Sequence, residues 1–261
     1  MGHEQGREGL MRYITPENRV KSRVGDNPLP AWDAAVISFR SRSASRDLIR
    51  LLDARPIGMK LFYGIEDSAD EPNIYTASIG GSSIGIVTHC IWGGPQAAIL
   101  VEEIACLGCK NVIGYSCAGA VDLSLQTGQQ IVANRAIPTD GTSLAYGNND
   151  LFADPGLLNF ANNAAGTLGH GITPVCAATV DALYRETPEM VAYWRSREAQ
   201  VINLETSPFY AAAQACGIGA ILLGHVSDRL ADTWEYHPLD RRPIGLVTAE
   251  ICVEMLRLLL A

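Results

Sequence analysis

Two carboxylates in the carboxyl-terminal third of the chain have a spacing that could support chemistry. Glu205 follows a short apolar run at 200–204, and Asp228 closely follows a second apolar run at 220–226. Between them, Thr206-Ser207-Pro208 supplies a capping hydroxyl and a proline suited to a first helical turn. The stretch therefore predicts strand, helix and strand, with both strands parallel in one sheet. Both acids would then lie at the carboxyl edge of the sheet, where open α/β folds bind ligands.

The two acids also have a purely structural interpretation. Glu205 could interact with the N-terminus of the helix that follows it, because a negative charge is stabilised there. Asp228 could cap the element that follows Ser227. The residues alone leave both interpretations open, and the turns elsewhere in the chain favour the chemical one.

Composition restricts the class of protein. The chain has 261 residues, of which 48% are hydrophobic and 18% charged, which suits one large α/β domain. The formal net charge of −8 argues against a nucleic acid or an anionic membrane as partner. The chain contains seven cysteines, and their spacing does not match a disulfide framework, which indicates reduced thiols and a cytoplasmic location. Cys106 and Cys109 are better explained as small buried hydrophobic residues than as metal ligands. The sequence predicts no signal peptide, no metal and no cofactor.

The chain divides into a polar arm and one domain. Residues 1–32 are rich in Gly, Pro and charge and predict a poorly ordered arm that packs on a neighbour, whereas residues 33–261 form a single domain. Further strands are predicted at 34–39, 59–64, 74–79, 84–89, 111–115, 129–137 and 172–178, and further helices at 47–53, 96–107, 188–196, 250–260 and within 151–168. Helices flank a strand-rich middle, which indicates a three-layer α/β sandwich with a mixed sheet.

An arginine-rich turn follows the first predicted strand. Arg40, Arg42 and Arg46 alternate with serines directly before a helix predicted to begin at Asp47. Guanidinium groups and helix N-terminal amides both favour oxyanions, so the turn is a candidate anion site. A solvated basic turn is the alternative.

Two other turns contain small residues at strand ends. Gly93 and Gly94 allow backbone to approach a ligand closely, and Trp92 before them is either a core aromatic or the wall of a sugar pocket. The turn at 116–120 follows the strand predicted at 111–115, and its small residues could hold an anion or a flat ring.

Six segments in a fixed order resemble a known family. They are GGPQAAILVEEI (93–104), NVIGYSCAGAV (111–121), DGTS (140–143), DALY (181–184), NLET (203–206) and HVSD (225–228). Together they resemble the purine nucleoside phosphorylase/uridine phosphorylase family over most of the chain from about residue 34. The resemblance implies an α/β sandwich around a distorted, partly barrel-like mixed sheet. It also implies a homo-oligomer, dimer-based and up to a hexamer.

The resemblance implies cleavage of a nucleoside N-glycosidic bond by phosphate or, in the nucleosidase branch, by water. Glu205 would hold the ribose hydroxyls, and Asp228 would bond the purine N7 and protonate the leaving base. The resemblance also implies that Leu204 packs on the sugar, that Leu183 and Tyr184 lie near the base, and that the strand-end turn at 114–119, which contains Ser116, holds phosphate. From the residues themselves we add Trp92 at the sugar, Cys117, Ala118 and Gly119 at the base, and Arg40, Arg42 and Arg46 at phosphate.

Departures from the family pattern bear on the nucleophile and the base. Gly114 stands where phosphorylases usually carry a phosphate-binding arginine, Cys117 replaces a hydroxyl residue, and Asn203 replaces an acid. The Gln-x-Arg pair of uridine phosphorylases is absent near 179–187, which favours a purine.

We therefore predict phosphorolysis to free base and ribose 1-phosphate, with Arg46 as the main phosphate ligand and Arg40 or Arg42 assisting. Phosphate is a co-substrate and no cofactor is required. A hydrolytic nucleosidase and a non-catalytic nucleoside-binding protein are the alternatives. The presence of both Glu205 and Asp228 weighs against the non-catalytic alternative.

Overall fold

A computed structural model describes residues 12–91, 93–147, 150–236 and 241–261, so Trp92 lies outside the described residues. The strands are β1 (Ala34–Ser38), β2 (Arg55–Pro56), β3 (Ile74–Ile79), β4 (Ser82–Val87), β5 (Asn111–Tyr115), β6 (Ala118–Ala120), β7 (Gln130–Pro138), β8 (Leu151–Phe152), β9 (Thr173–Thr179), β10 (Val201–Asn203), β11 (Gly219–Leu230) and β12 (Trp234–Glu235). The helices are α1 (Pro16–Val24), α2 (Arg42–Leu51), α3 (Gly94–Cys106), α4 (Gly141–Tyr146), α5 (Pro155–Thr167), α6 (Pro188–Ser196), α7 (Thr206–Cys216) and α8 (Arg241–Leu259).

The strands form one mixed sheet that closes on itself over part of its width. β11 is long enough to pair with β5 and β6 on one side and with β7 on the other. The pairings β6–β10, β10–β9 and β9–β7 complete a ring of five strands in the described chain. β5, β1 and β4 continue from β11 as an open parallel sheet. The predicted α/β class with a partly barrel-like mixed sheet is confirmed.

Helices cover both faces of this sheet and give the three layers. α3 packs on α7, with α1 and α4 beside them, while α8 packs on α2 and α5 across the sheet. α7 is buried along most of its length because its first eight residues, from Thr206 to Ala213, are all buried. In the described part of the chain, no helix is long and apolar enough to cross a membrane.

The relative direction of β10 and β11 differs from the prediction. We expected two parallel strands, but β6 lies between them, antiparallel to β10 and parallel to β11. β10 and β11 therefore run in opposite senses. The parallel crossover is wrong because the small-residue segment at 118–120, interpreted as a turn, forms a strand that inserts into the ring.

Two predicted element bounds are also wrong. No strand forms at 59–64, although Leu61 and Phe62 are fully buried, because Gly58 and Gly64 both adopt positive φ and interrupt extended pairing. α2 begins at Arg42 rather than near Asp47, since the Ser41 hydroxyl accepts a hydrogen bond from the Ala44 amide. Arg46 consequently lies inside the helix and does not open it.

The amino-terminal region contains a helix that we did not predict. Thr15 caps α1 through its hydroxyl, and Val20 and Val24 are buried where α1 packs on α3. Trp32 is also buried, and its ring lies so close to Gly85 that a Cβ there would fall 2.1 Å from it. Part of the region interpreted as an arm therefore contributes to the core.

Candidate active site

Glu205 lies between β10 and α7, where a carboxylate would be expected to cap the helix. Its side chain makes no capping hydrogen bond. Asn203 performs this role instead: its Oδ1 accepts from the amide of Thr206 at 3.2 Å, and its side chain also bonds the Thr206 hydroxyl. The capping interpretation of Glu205 therefore finds no support, and its carboxyl group remains available for another role.

Burial controls the ionisation of Glu205. Only 7% of the residue is exposed, and burial raises the pKa of Glu205 to about 8, although hydrogen bonds from the backbone and from the Ser116 hydroxyl oppose the rise. The hydrogen bond to Ser116 brings the end of β5 to the carboxyl group. Glu205 is thus a carboxyl group that changes charge close to neutral pH.

Cys117 lies within electrostatic reach of both predicted acids and of one arginine. Burial raises the pKa of Cys117, the charge of Arg40 lowers it, and Glu205 and Asp228 raise it further. The side chain also hydrogen-bonds Ser227. The group at this position is therefore a protonated thiol at neutral pH. Four of the residues singled out by the sequence, Arg40, Cys117, Glu205 and Asp228, belong to one electrostatic neighbourhood.

Asp228 lies within β11, where its backbone is in register with Gly119 of β6. Ser227 donates its hydroxyl to Oδ1, and the indole N–H of Trp234 donates to Oδ2 at 2.8 Å. A Cβ on Gly119 would lie 3.3 Å from Oδ2 and 2.9 Å from Leu230, so a larger residue would crowd the carboxylate. The proximity of Gly119 to Asp228, one of the expected base contacts, follows from the β6–β11 pairing.

A cavity of about 790 Å³ opens beside Asp228. Leu183 and Tyr184, both predicted at the base, line it, and Tyr184 is 95% exposed. Trp234 and Tyr236 form an aromatic wall, with ring centroids 4.9 Å apart.

Two residues of this cavity that contact or influence Asp228 were not predicted from the sequence. Glu186 is a second carboxyl group, and burial together with the charge of Asp228 raises the pKa of Glu186 to about 7. It stands two residues after the DALY segment, which was the available signal. Trp234 lies in the hairpin formed by β11 and β12, and only the three-dimensional fold brings its indole to Asp228.

Arg40 is held by a buried chain of polar side chains. Nη1 of Arg40 lies 3.3 Å from Nε2 of His225, whose Nδ1 is 3.1 Å from the Thr248 hydroxyl. That hydroxyl lies 2.6 Å from Oε1 of Gln130, to which it donates. Nη1 of Arg40 lies 3.4 Å from Nδ1 of His225 as well as 3.3 Å from Nε2. Because Thr248 donates to Gln130, we assign Nδ1–H of His225 as the donor to Thr248 and Nε2 as the nitrogen that accepts from Arg40. His225, Thr248 and Gln130 are all buried, so the guanidinium has a defined position.

The three arginines of the 40–46 segment do not converge on one point. Arg42 donates through Nε to Asn73 at 2.8 Å and pairs with Glu71 at 2.9 Å. Arg46 contacts the Ser43 carbonyl at 3.4 Å and lines a second cavity of about 420 Å³ together with Arg40. Of the three arginines, only Arg40 both lines this second cavity and lowers the pKa of Cys117.

Gly114 has no space for a large side chain. A Cβ there would lie 3.1 Å from Leu222 and 3.3 Å from Phe39, which itself packs edge-on against Phe209. An arginine at this position would require these apolar groups to move.

As for metals, the described residues contain no group of three or more His, Cys, Asp or Glu side chains able to hold an ion.

The fold and the order of these site residues agree with one family. The family model described as "Phosphorylase superfamily" matches residues 64–261. The match covers most of the chain, including both acids and the strands that position them. The protein therefore belongs to the phosphorylase superfamily, and the resemblance in the sequence is confirmed.

Individual relatives match the chain at low sequence identity. The chain is 26% identical over 226 residues to the uncharacterized protein R802 of Acanthamoeba polyphaga mimivirus, covering 85% of this chain and 86% of that protein. It is 30% identical over 152 residues to a guanosine phosphorylase of Halorubrum lacusprofundi, covering 58% of this chain and 63% of that protein, less than two thirds of its length.

Among solved structures, a purine nucleoside phosphorylase of Toxoplasma gondii in complex with immucillin-H superimposes with a TM-score of 0.75 at 19% identity, covering 88% of this chain and 92% of that one. A futalosine hydrolase mutant of Helicobacter pylori superimposes with a TM-score of 0.69 at 13% identity, covering 86% and 98%. At these identities the superpositions support the fold.

Proposed function

We propose that the protein is a phosphorylase that cleaves the N-glycosidic bond of purine nucleosides and releases free base and ribose 1-phosphate. The observation that carries this proposal is the guanidinium of Arg40, which lies against the buried His225 and whose charge acts on Cys117 together with the charges of Glu205 and Asp228. This arrangement offers a carboxyl group for the sugar, a carboxyl group for the base and a cation for the nucleophile.

Glu205 serves the sugar. When the bond between C1′ and N9 breaks, positive charge develops on the ribose ring. The carboxyl group of Glu205 bonds the ribose hydroxyls, and its ionised form stabilises the developing charge best because the site is buried. Leu204 packs against the sugar beside it.

Asp228 serves the base. The departing purine gains negative charge, and a proton passed from Asp228 to N7 neutralises it, a step that contributes roughly 10²–10⁴ in rate. Ser227 and Trp234 bond the two carboxylate oxygens. In its protonated form Asp228 donates to the purine N7, so the oxygen that carries this proton gives up the bond it accepted, and the bond from Trp234 is the more easily displaced because Trp234 is 66% exposed on a hairpin. Leu183 and Tyr184 contact the ring.

Arg40 serves the nucleophile. An anion in a closed site needs a fixed cation or several amide donors, because an unpaired buried charge costs several kcal/mol. Arg40 supplies this charge in place of the central strand, which carries Gly114, and Ser116 directly follows that strand. We therefore assign Arg40 rather than Arg46 as the main phosphate ligand. Arg46 flanks the approach and Arg42 has other partners. The phosphate oxygen attacks C1′ as the base departs.

Hydrolysis is the second candidate, and Gly114 favours it. Its surroundings are filled by Leu222 and Phe39, so the central strand provides no cation for phosphate. Water would then replace phosphate at C1′, while Glu205 and Asp228 would keep their roles.

Base release measured against phosphate concentration tests the proposal. We expect release from inosine or adenosine to saturate with phosphate in the wild type. Arg40→Ala should raise the phosphate KM by about tenfold or more, since a charge-assisted hydrogen bond contributes about 1.5–3 kcal/mol. Arg50→Ala is the matched control, because Arg50 lies on the exposed side of α2 and pairs with Asp47. Release that is unchanged without phosphate would identify a hydrolase.

The proposed reaction is a pentosyl transfer that uses phosphate as co-substrate and no cofactor. We further propose a cytoplasmic setting, supported by seven free cysteines. We also propose a dimer-based homo-oligomer, which a measurement of mass in solution would test.

A further inference from the structure

The cavity beside Asp228 extends well beyond the group that a nucleoside base would contact. Its outer part, which we name the distal groove, lies between one face of α6 and the hairpin of β11 and β12. Residues of the distal groove are Thr187, Pro188, Val191 and Arg195 from α6 and Leu230, Ala231, Asp232 and Thr233 from the hairpin. Asp228 lines the same cavity.

The distal groove is separate from the buried sugar and anion residues. Neither Glu205, Cys117 nor Arg40 lines this cavity. Its volume of about 790 Å³ is in the upper part of the roughly 300–1,000 Å³ range of small-molecule sites. A purine ring bonded to Asp228 would also extend towards the residues that bind the sugar. The base alone would therefore leave most of the distal groove unfilled.

The groove walls are held in place by Arg195. Its Nη2 donates to the carbonyl of Leu230 at 3.0 Å, and its Nε donates to the carbonyl of Val121. The bond to Leu230 ties α6 to β11 on the other side of the groove, and the bond to Val121 ties α6 to the segment that follows β6. Arg195 therefore acts on the groove's shape through the backbone, and the two walls form a built cleft rather than two independent surface elements.

The chemistry of the walls selects against negative charge and offers apolar surface. Pro188, Val191, Leu230 and Ala231 present apolar surface, and the indole of Trp234 adds an aromatic face. Most of the ionisable groups that line the cavity are acids. Burial and the negative charge of Asp228 raise the pKa of one of them, Glu186, to about 7. A second negative charge would be repelled here, whereas a neutral apolar or aromatic group would gain from burial.

The geometry of a purine connects this groove to one ring position. C6 carries the substituent next to N7, on the same edge of the ring. A base that bonds Asp228 through N7 therefore directs its 6-substituent along the cavity that begins at Asp228. Resting on the proposed function, we propose that the substrates of this protein include purine nucleosides with a bulky, neutral apolar or aromatic group at the 6-position, and that the distal groove binds this group.

The experiment compares base release from N6-benzyladenosine, adenosine and inosine by chromatography, in the wild type and in two tryptophan variants. Ala231→Trp narrows the distal groove from the hairpin. Ala192→Trp is the matched control, because Ala192 is exposed on α6 and does not line the cavity. Circular dichroism confirms that each variant is folded.

We expect the wild type to cleave N6-benzyladenosine with a kcat/KM within about tenfold of the better unsubstituted nucleoside. Ala231→Trp should lower this value by about tenfold or more while changing adenosine and inosine by less than about threefold, and Ala192→Trp should change neither. Cleavage of adenosine or inosine without cleavage of N6-benzyladenosine would overturn the inference but not the proposed function. Equal losses for all three nucleosides in Ala231→Trp would also overturn it.

A protein that cleaves no purine nucleoside would refute the proposed function, and a binding measurement then decides on the groove. Calorimetry compares N6-benzyladenine with adenine in the wild type and in Ala231→Trp. Binding of the benzyl compound that is about tenfold tighter, and that is lost in the variant, supports the groove. Equal affinities for both bases overturn it.

Discussion

The two ends of the candidate site differ in how firmly the fold holds them. At the sugar and anion end, Glu205, Ser116 and His225 are all buried, and each has hydrogen-bond partners within the core. At the base end, Tyr184 is 95% and Trp234 66% exposed, and they belong to a short helical turn and a hairpin. Under the proposed function, the invariant parts of a nucleoside would meet a preorganised surface, whereas its variable base would meet surface elements that can differ without disturbing the core.

This contrast predicts different consequences for mutations at the two ends. Changes at the buried end should alter ionisation and stability as well as binding, because those groups are part of the core. Changes at the exposed end should alter chemistry or specificity and leave stability almost unchanged.

The largest expected effect is at Asp228, although it lies at the exposed end. Asp228→Asn still forms hydrogen bonds but cannot deliver a proton, so kcat for inosine or adenosine should fall by about a hundredfold or more. Turnover of 7-methylguanosine, whose cationic base leaves without protonation, should be largely spared. The melting temperature should stay close to that of the wild type. Turnover of inosine at the wild-type rate would remove Asp228 from the mechanism.

The next largest effect is on catalysis through Glu205. Glu205→Gln should lower kcat/KM for ribonucleosides by an amount corresponding to about 1.5–3 kcal/mol of transition-state stabilisation, roughly 10-fold to 150-fold. Because burial raises the pKa of Glu205 to about 8, wild-type kcat/KM should increase as pH rises towards 8, and the Gln variant should lack this increase. A wild-type profile that is flat between pH 6 and about 9 would contradict the role of the ionised carboxylate.

Sequence patterns predicted several of the local elements but not their mutual arrangement. The bounds of β5 and α6 follow from local signals, such as Thr187 and Pro188 at the start of α6. The direction of β10 relative to β11 does not, because β6 contains only small residues and resembles a turn. The contact of Arg40 with His225 joins residues 185 positions apart, and no local pattern encodes such a contact.

The arginine-rich segment shows the same limit. Its composition indicated an anion site, but the assignment of Arg46 as main ligand depended on a helix beginning near Asp47. Because Ser41 caps the helix, the helix begins earlier than predicted, and this changes the direction of each arginine side chain. Asn73 and Glu71 then engage Arg42, and these residues lie on a part of the chain that the sequence did not connect with the turn.

A smaller effect concerns stability at the buried end. The pKa of Glu205 is raised in the folded protein, so its contribution to stability is fully present below its unfolded value near 4.5 and is lost as pH rises through about 8. Glu205→Gln should remove this loss and become more stable than the wild type above pH 8, by on the order of 1–3 kcal/mol. Urea unfolding at several pH values between 5 and 9 measures it. Parallel stability curves for the two proteins would contradict the burial of an ionisable group at this position.

The smallest effect should come from the chain that positions Arg40. Thr248→Val keeps the shape of the side chain but removes the hydroxyl that accepts from Nδ1–H of His225. His225 is then no longer fixed in the tautomer whose Nε2 accepts from Arg40. We expect the phosphate KM to rise by about threefold to tenfold, the range given by a net hydrogen bond of about 0.5–1.5 kcal/mol.

The nucleoside KM separates positioning from general damage in this variant. It should remain within about twofold of the wild type, because Glu205 and Asp228 do not depend on Thr248. Thr248→Ser retains the hydroxyl and should restore the phosphate KM, even if the lost methyl group lowers the melting temperature. A phosphate KM that follows the melting temperature across both variants, rather than the presence of the hydroxyl, would show that Thr248 only supports the core. Such a result would also leave Arg40 without a positioning chain and weaken the contrast between the preorganised end of the site and the exposed one.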